Sequence, residues 1–272
     1  MTADVVSPTL DTDNSFNEIP NDLPYVNDDT FEILKEGYFN IDFSATFEKG
    51  DLEVYDYYRE IFIQLLKDEV PFIYKRTGEH FYVSEFDEFG SASLGGRFDL
   101  NNYLYYFFDI DGDGDPELCI SDNARFTYVF KYLTNTDEFV MWYEMPNGYY
   151  RLHGTKKLRY NRLGEQLEFY VLNENGDVIE GVRFFNTYKT REMYMLYLTK
   201  QANENNELKI IGLTEEMKRQ GFSQNGNDYS FRVTKEQYDE VTKTFFEAEV
   251  AAEKELNDMA LTYEELFGDL LD

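Results

Sequence analysis

The sequence predicts an α+β fold: a mostly antiparallel β meander with an N-terminal helix before it and a long C-terminal amphipathic helix after it. Three observations carry this. Aromatic and β-branched runs recur between residues 103 and 199, separated by turn-forming residues at intervals of about 8–14. Apolar residues recur at spacings of three and four before that region. They do so again after it, following a helix-start signal.

In chain order, residues 1–30 carry seven acids, no Lys or Arg, and half of the six prolines (Pro8, Pro20, Pro24). That composition reads as a disordered acidic leader ahead of a single α+β domain over 31–272. Leu52, Tyr55, Tyr58, Phe62 and Leu65 then mark a core helix, with Asp51 as its N-cap and Pro71 as its limit. Phe81–Val83 suits a short strand, and the small-residue loop Gly90–Gly96 resembles a nucleophile elbow without matching G-x-S-x-G, since Ser91 stands where the first Gly belongs.

The β-rich middle spans 103–199. Its expected strands are Tyr103–Ile110, Phe126–Tyr132, Glu138–Glu144, Tyr149–Leu152, Gln166–Leu172, Val178–Phe185 and Met193–Leu198, with Asn175-Gly176 the clearest hairpin turn. No signature recurs at a fixed period, so a propeller is not supported. The helical C-terminus covers 213–271. Leu213–Gln220 is a short helix with Gly221 as an αL stop. Tyr229–Val233 suits one more strand. Thr234 and Gln237 form a capping box that opens a long helix to about residue 258, and Thr262 with Glu265 opens a terminal turn.

Composition excludes several functions. With 25 Lys+Arg against 54 Asp+Glu the formal net charge is −29, which repels nucleic acid and anionic membranes alike. One Cys excludes an internal disulfide framework and a Cys-clustered zinc site. The start has neither a basic n-region nor an apolar h-region, and no apolar run is long enough to span a bilayer. Two compartments are compatible with this: extracellular or cell surface, for an exported chain whose signal peptide was removed, or cytoplasmic. The partner expected is a protein or polymer of unknown identity, and the sequence does not give the oligomeric state.

One stretch is chemically specific. Asp109, Asp111, Asp113, Asp115 and Glu117 lie within nine residues, with Gly114 at the sixth position. This matches the first three quarters of a calcium loop, D-x-D-x-D-G-x-x-E. Ca²⁺ takes six to eight hard oxygens at about 2.3–2.6 Å, and carboxylates at alternating positions of a tightly curled loop converge on one point. Gly114 permits the sharp turn, the carbonyl of Asp115 supplies a further oxygen, and Glu117 binds directly or through water. Position 12 is Ile120 rather than a bidentate Glu, and the flanks read as strands, so this is no EF-hand. The missing ligand comes from Asp122, a distant acid or water. The calcium expected is a structural ion of weak affinity, and the plainer alternative is a solvated acidic turn.

The segment Tyr105–Ile120 resembles a loop-and-strand unit with FG-GAP/VCBS-like calcium loops in uncharacterised exported, lipoprotein-like proteins of gut Firmicutes. The similarity extends to Tyr55–Leu66, Phe139–Tyr143, Phe231–Tyr238 and Tyr263–Phe267. It implies an exported α+β protein with one calcium loop and no established activity. This chain shows neither the signal peptide nor the lipid-attachment Cys of such proteins.

Other features are less specific. Arg151, Lys157 and Arg159 belong to a basic island with no acid from 145 to 164; they suit either ion pairs with the protein's own acids or a contact with an acidic partner. Trp142, Tyr143, Tyr149 and Tyr150 suit core packing or a sugar-stacking platform. His80 and His153 sit in no metal or catalytic motif, and Cys119 lies in an apolar strand. The function expected is a calcium-stabilised, non-catalytic binding or cell-surface protein. The alternatives are an acidic inhibitor that mimics nucleic acid and binds a basic protein such as a nuclease, and an unrecognised hydrolase with a polar pocket around a histidine.

Overall fold

The computed structural model describes residues 19–20, 22–44, 46–48, 52–85, 99–121, 127–145, 150–162, 166–173, 178–188, 191–198, 201–202, 208–209, 213–223 and 229–270. The expected cap Asp51, the loop Gly90–Gly96, Asp122, Tyr149 and the Asn175-Gly176 turn lie outside them.

The elements, in chain order, are α1 (Asp28–Tyr38), α2 (Leu52–Leu66), β1 (Phe72–Tyr74), β2 (Glu79–Phe81), β3 (Leu104–Phe108), β4 (Glu117–Ser121), β5 (Thr127–Leu133), β6 (Glu138–Met145), β7 (Tyr150–Leu152), β8 (Lys157–Arg162), β9 (Gln166–Leu172), β10 (Val178–Tyr188), β11 (Arg191–Leu198), β12 (Gln201–Ala202), β13 (Leu208–Lys209), α3 (Glu215–Gln220), β14 (Tyr229–Arg232), α4 (Lys235–Met259) and α5 (Tyr263–Phe267). The fold is α+β, with two mostly antiparallel sheets, N-terminal helices and the long helix α4 near the C-terminus. The sequence reading treats 31–272 as one domain; the contacts divide the chain into two compact units, 1–45 with 156–252 and 46–155 with 253–272. Each unit is assembled from two separated stretches, so no linker composition marks the division.

In the first unit the strands pair antiparallel in the order β14-β11-β10-β9-β8. Alternation sorts their side chains onto two faces. Phe169, Phe184, Leu196 and Phe231 join Phe31 and Leu34 of α1 and Val241 and Phe245 of α4 in one core. Phe185, Met193, Met195 and Tyr197 pack with Ile19 and Leu23 in another. These last two residues, with buried Val26, fall within the span read as the acidic leader. The sequence reading ends that leader at 30; α1 begins at Asp28, because the Asn27 side chain accepts from the Thr30 N–H at 2.8 Å and so supplies a helix cap.

Strand β8 falls within the basic island, where Lys157 and Arg159 are expected on one strand face. Gly221 also differs from expectation: its φ is −101°, extended rather than αL. A Cβ there would lie 2.7 Å from the Phe231 ring, so packing rather than a left-handed turn calls for glycine. Both capping boxes form. Thr234 N–H donates to Gln237 Oε1 (3.0 Å) and Gln237 N–H to Thr234 Oγ1 (3.2 Å); Thr262 and Glu265 reciprocate likewise.

In the second unit the order is β2-β1-β6-β5-β4-β3. All neighbours are antiparallel except β1 and β6, which run parallel with Phe72 opposite Phe139. One face, carrying Tyr105, Phe107, Leu118, Ile120, Tyr128 and Phe130, packs against Tyr58, Phe62 and Leu65 of α2 and Leu266 and Phe267 of α5. Arg59 of α2 ties the two helices together: its Nε donates to the Leu266 carbonyl at 2.6 Å and its guanidinium pairs with Asp269. The opposite face carries Cys119, fully buried, and the side chains that form the acidic site.

Phe245 holds the core of the first unit, with ring centroids 5.3, 5.2 and 4.9 Å from Phe43, Phe169 and Phe184. Truncation to alanine loses the burial and leaves a cavity among three rings. Phe245→Ala is expected to cost about 3–5 kcal/mol in denaturant unfolding; a loss below about 1 kcal/mol would contradict this packing.

Candidate metal centre

The site grows out of the β3–β4 hairpin, where Phe108 stands opposite Glu117 and residues 109–116 make the turn. Strand pairing brings the two ends of the loop together, so Asp109 leaves β3 beside the first residue of β4. Gly112 (φ 72°) and Gly114 (φ 98°) take the left-handed conformation that the curl demands.

The carboxylates then organise the turn. Asp109 Oδ1 accepts from the Gly112 and Asp113 N–H groups (2.6 and 3.2 Å), and its Oδ2 accepts from Gly114 N–H (2.9 Å). Asp111 Oδ1 accepts from Asp113 N–H (3.2 Å), and Asp113 Oδ1 from Asp115 N–H (2.9 Å). Glu117 Oε2 reaches back to Ile110 N–H at 2.7 Å. The loop is clamped from outside as well. Asp109 N–H donates to the Glu48 carbonyl (2.9 Å). Thr155 Oγ1 donates to the Asp109 carbonyl (2.7 Å) and accepts from Glu48 N–H (3.1 Å).

Of the five acids predicted to share a centre, the structure gathers three. Asp109, Asp111 and Glu117 are 3%, 0% and 0% exposed, and their ligand oxygens lie within 4.8 Å of one another. Two oxygens on one Ca²⁺ at about 2.3–2.6 Å stand at most about 5 Å apart, so this spacing is one that a single ion can bridge. Asp113 lies at the solvent side of the same group. Asp115 is not one of the clustered three; it lies near buried Tyr58, whose hydroxyl pKa is raised first by burial and then by that carboxylate. Ile120, at position 12 of the loop, has its apolar side chain buried in the aromatic core.

Lys131, a residue the motif does not contain, enters the centre from β5. Its ammonium hydrogen-bonds Asp111 Oδ2 and Asp113 Oδ2 (2.6 Å for Asp113) and stands 3.4 Å from Glu117 Oε1. It also lies 5.5 Å from the ring centroid of Trp142. The signal that finds it is register. Leu118 pairs with Phe130, so the next antiparallel pair on the adjoining strand is Glu117 with Lys131.

Electrostatics follow from this crowding. Burial pushes Glu117 well above the ordinary carboxylate range, and the Asp111 charge pushes it further. Burial likewise raises Asp111 against the pull of Lys131, and raises Asp109 against its three backbone donors. Asp113, less enclosed, is lowered: burial acts against it, but the Lys131 and Asp115 hydrogen bonds outweigh that. Lys131 is held protonated, because the surrounding carboxylates outweigh its own desolvation. Asp111, Asp113 and Glu117 thus share one ammonium, and Asp109 is met by backbone N–H groups. Oε1 of Glu117 is fully buried and takes no hydrogen bond. A buried Asp/Asp/Glu cluster that could hold a metal ion is therefore present.

The basic island is placed elsewhere. Lys157 Nζ donates to the Ser44 carbonyl at 2.7 Å, and Arg159 pairs with Glu249 of α4 at 2.9 Å. The Arg151 side chain lies outside the described atoms. Trp142 is 8% exposed and packs on Tyr143, with ring centroids 4.8 Å apart. His153 is buried. His80 is exposed and lines a cleft of about 350 Å³ together with Tyr57, Tyr132, Asp137 and Glu138; among the described residues that line it there is no serine.

No family model, no curated protein and no solved structure matches this chain.

Thr155 joins the clamp from a position far along the chain from the loop. Thr155→Val keeps its shape but removes the hydroxyl that serves both Asp109 and Glu48. It is expected to cost about 1–3 kcal/mol in denaturant unfolding, with Thr155→Ser recovering most of the loss. Equal stability of Thr155→Val and the parent would show that the clamp contributes nothing.

Proposed function

We propose that this chain is a calcium-stabilised, non-catalytic binding or cell-surface protein whose ion is held by Asp109, Asp111 and Glu117, with Asp113 at the rim. The observation that carries the reading is the charge imbalance in a buried place: Asp109, Asp111 and Glu117, each at most 3% exposed, cluster together, and one ammonium, that of Lys131, pairs with Asp111, Glu117 and the outer Asp113. Uncompensated carboxylates out of water are costly, and a divalent ion offsets that cost. Hard oxygen donors alone, without His or Cys, favour Ca²⁺ or Mg²⁺ over softer metals. The irregular, partly backbone-satisfied set suits the flexible shell of Ca²⁺ better than the strict octahedron of Mg²⁺.

The ion would have a structural role, since the carboxylates already organise the hairpin turn through backbone bonds. An incomplete ligand set points to affinity in the range of about 10⁻⁴–10⁻³ M typical of extracellular modules, which agrees with the resemblance to exported proteins. For the acidic-mimic alternative, the acids of α4 offer limited support. Asp239 and Glu247 pair with Lys235 and Lys243, and Glu240 pairs with Lys35, so lysines interrupt the acidic face there.

Calorimetric titration of the chelator-treated protein with CaCl₂, together with melting curves, tests the reading. At free Ca²⁺ tenfold above its dissociation constant, stability should rise by about 1.4 kcal/mol. Asp111→Asn and Glu117→Gln should each abolish that rise. Melting curves that coincide in Ca²⁺ and chelator, with no heat of binding, would refute the proposal.

A further inference from the structure

We infer that Lys131 is a tethered cation that occupies the metal centre in the ion-free protein and competes with the divalent ion for the same carboxylate oxygens. This rests on the calcium reading and adds to it a residue that sets the affinity and reports occupancy.

The geometry is direct. Asp111 and Glu117, two of the three clustered ligands, are also two of the three carboxylates that Lys131 contacts. An ion bridging Asp109, Asp111 and Glu117 would sit close to the position of the ammonium. Two cations cannot share such a space without strong repulsion, so entry of the ion requires that Nζ withdraw. Glu117 gives an independent sign that the ammonium does not complete the site. Its Oε1 is fully buried and takes no hydrogen bond, and Lys131 stands off at 3.4 Å, longer than a charge-assisted bond. A fixed ammonium has three donors in a tetrahedral arrangement, whereas an ion can take an oxygen from any direction in its shell.

A route out exists. Lys131 keeps 14% of its side chain exposed, and its outer partner, Asp113, keeps 31%. Withdrawal of Nζ toward solvent would leave Asp113 as the last contact. The ammonium also stands 5.5 Å from the ring of Trp142, the chain's single tryptophan. Cation–π contact changes when the charge moves, so the indole is a built-in reporter of displacement.

The test uses the full chain, treated with chelator and titrated with CaCl₂. Calorimetry gives affinity for the parent, Lys131→Met and Lys131→Gln, and Trp142 fluorescence is followed in the same titrations. Competition predicts tighter Ca²⁺ binding in both variants by about tenfold or more, the weight of one or two charge-assisted hydrogen bonds. It also predicts a saturable fluorescence change in the parent that tracks the binding isotherm and is lost in Lys131→Met. The parent measurement stands if a variant does not fold. Equal affinity in parent and variants, or Ca²⁺ binding by the parent with no change at Trp142, would overturn the competition while leaving the calcium reading intact. Absence of binding in parent and variants alike would overturn both.

Discussion

The β3–β4 turn depends on how its negative charges are neutralised. Asp109, Asp111 and Glu117 are buried on a strand-borne hairpin, and each is needed where it is, because its oxygens terminate backbone donors that the sharp curl would otherwise leave unsatisfied. Backbone donors supply partial charge only. The remaining compensation comes from Lys131 on the adjoining strand and, on the reading proposed above, from a divalent ion. Carboxylates buried at this density are costly to leave uncompensated.

The rest of the second unit holds this cluster in register. Antiparallel pairing of β3, β4 and β5 places Asp109, Glu117 and Lys131 at one end of three adjacent strands. The aromatic face behind them, packed on α2 and α5, resists any slip, since a one-residue shift would exchange Leu118 and Ile120 with Glu117 and Cys119 across the sheet. Thr155 and Glu48 fasten the loop from two further chain segments. Precision in the site is thus a consequence of the core rather than of the loop alone.

The first unit shows the same economy with a different outcome. Two of its arginines are absorbed internally: Arg159 meets Glu249, and Arg183 Nε stands 2.7 Å from Glu168, a carboxylate that is nearly fully buried. Burial raises Glu168 above the ordinary range, while Arg183 pulls it down. In a chain of net charge −29, cations are scarce, and those drawn into buried pairs are unavailable to a partner. Lys131 of the second unit is the clearest instance, because three carboxylates surround its ammonium.

Much of the architecture was legible in the residues themselves. Gln166–Leu172 coincides with β9, the two capping boxes form, and three acids of the loop gather in a buried cluster that could hold a metal ion, because local periodicity, cap chemistry and side-chain spacing each act over a few residues. What escaped depends on contacts between distant residues. The parallel pairing of β1 with β6 and the grouping of 1–45 with 156–252 have no local signature. Gly221 reads as a helix stop, yet it is required by the Phe231 ring lying against it. By itself the sequence determined which side chains could converge on a cation, since alternation along a curled loop is a local property. Only the tertiary structure decided that Asp115 stays out of the buried three, that Lys131 enters the cluster and that Thr155 closes it, because those choices are made by strand register and by segments brought together in folding.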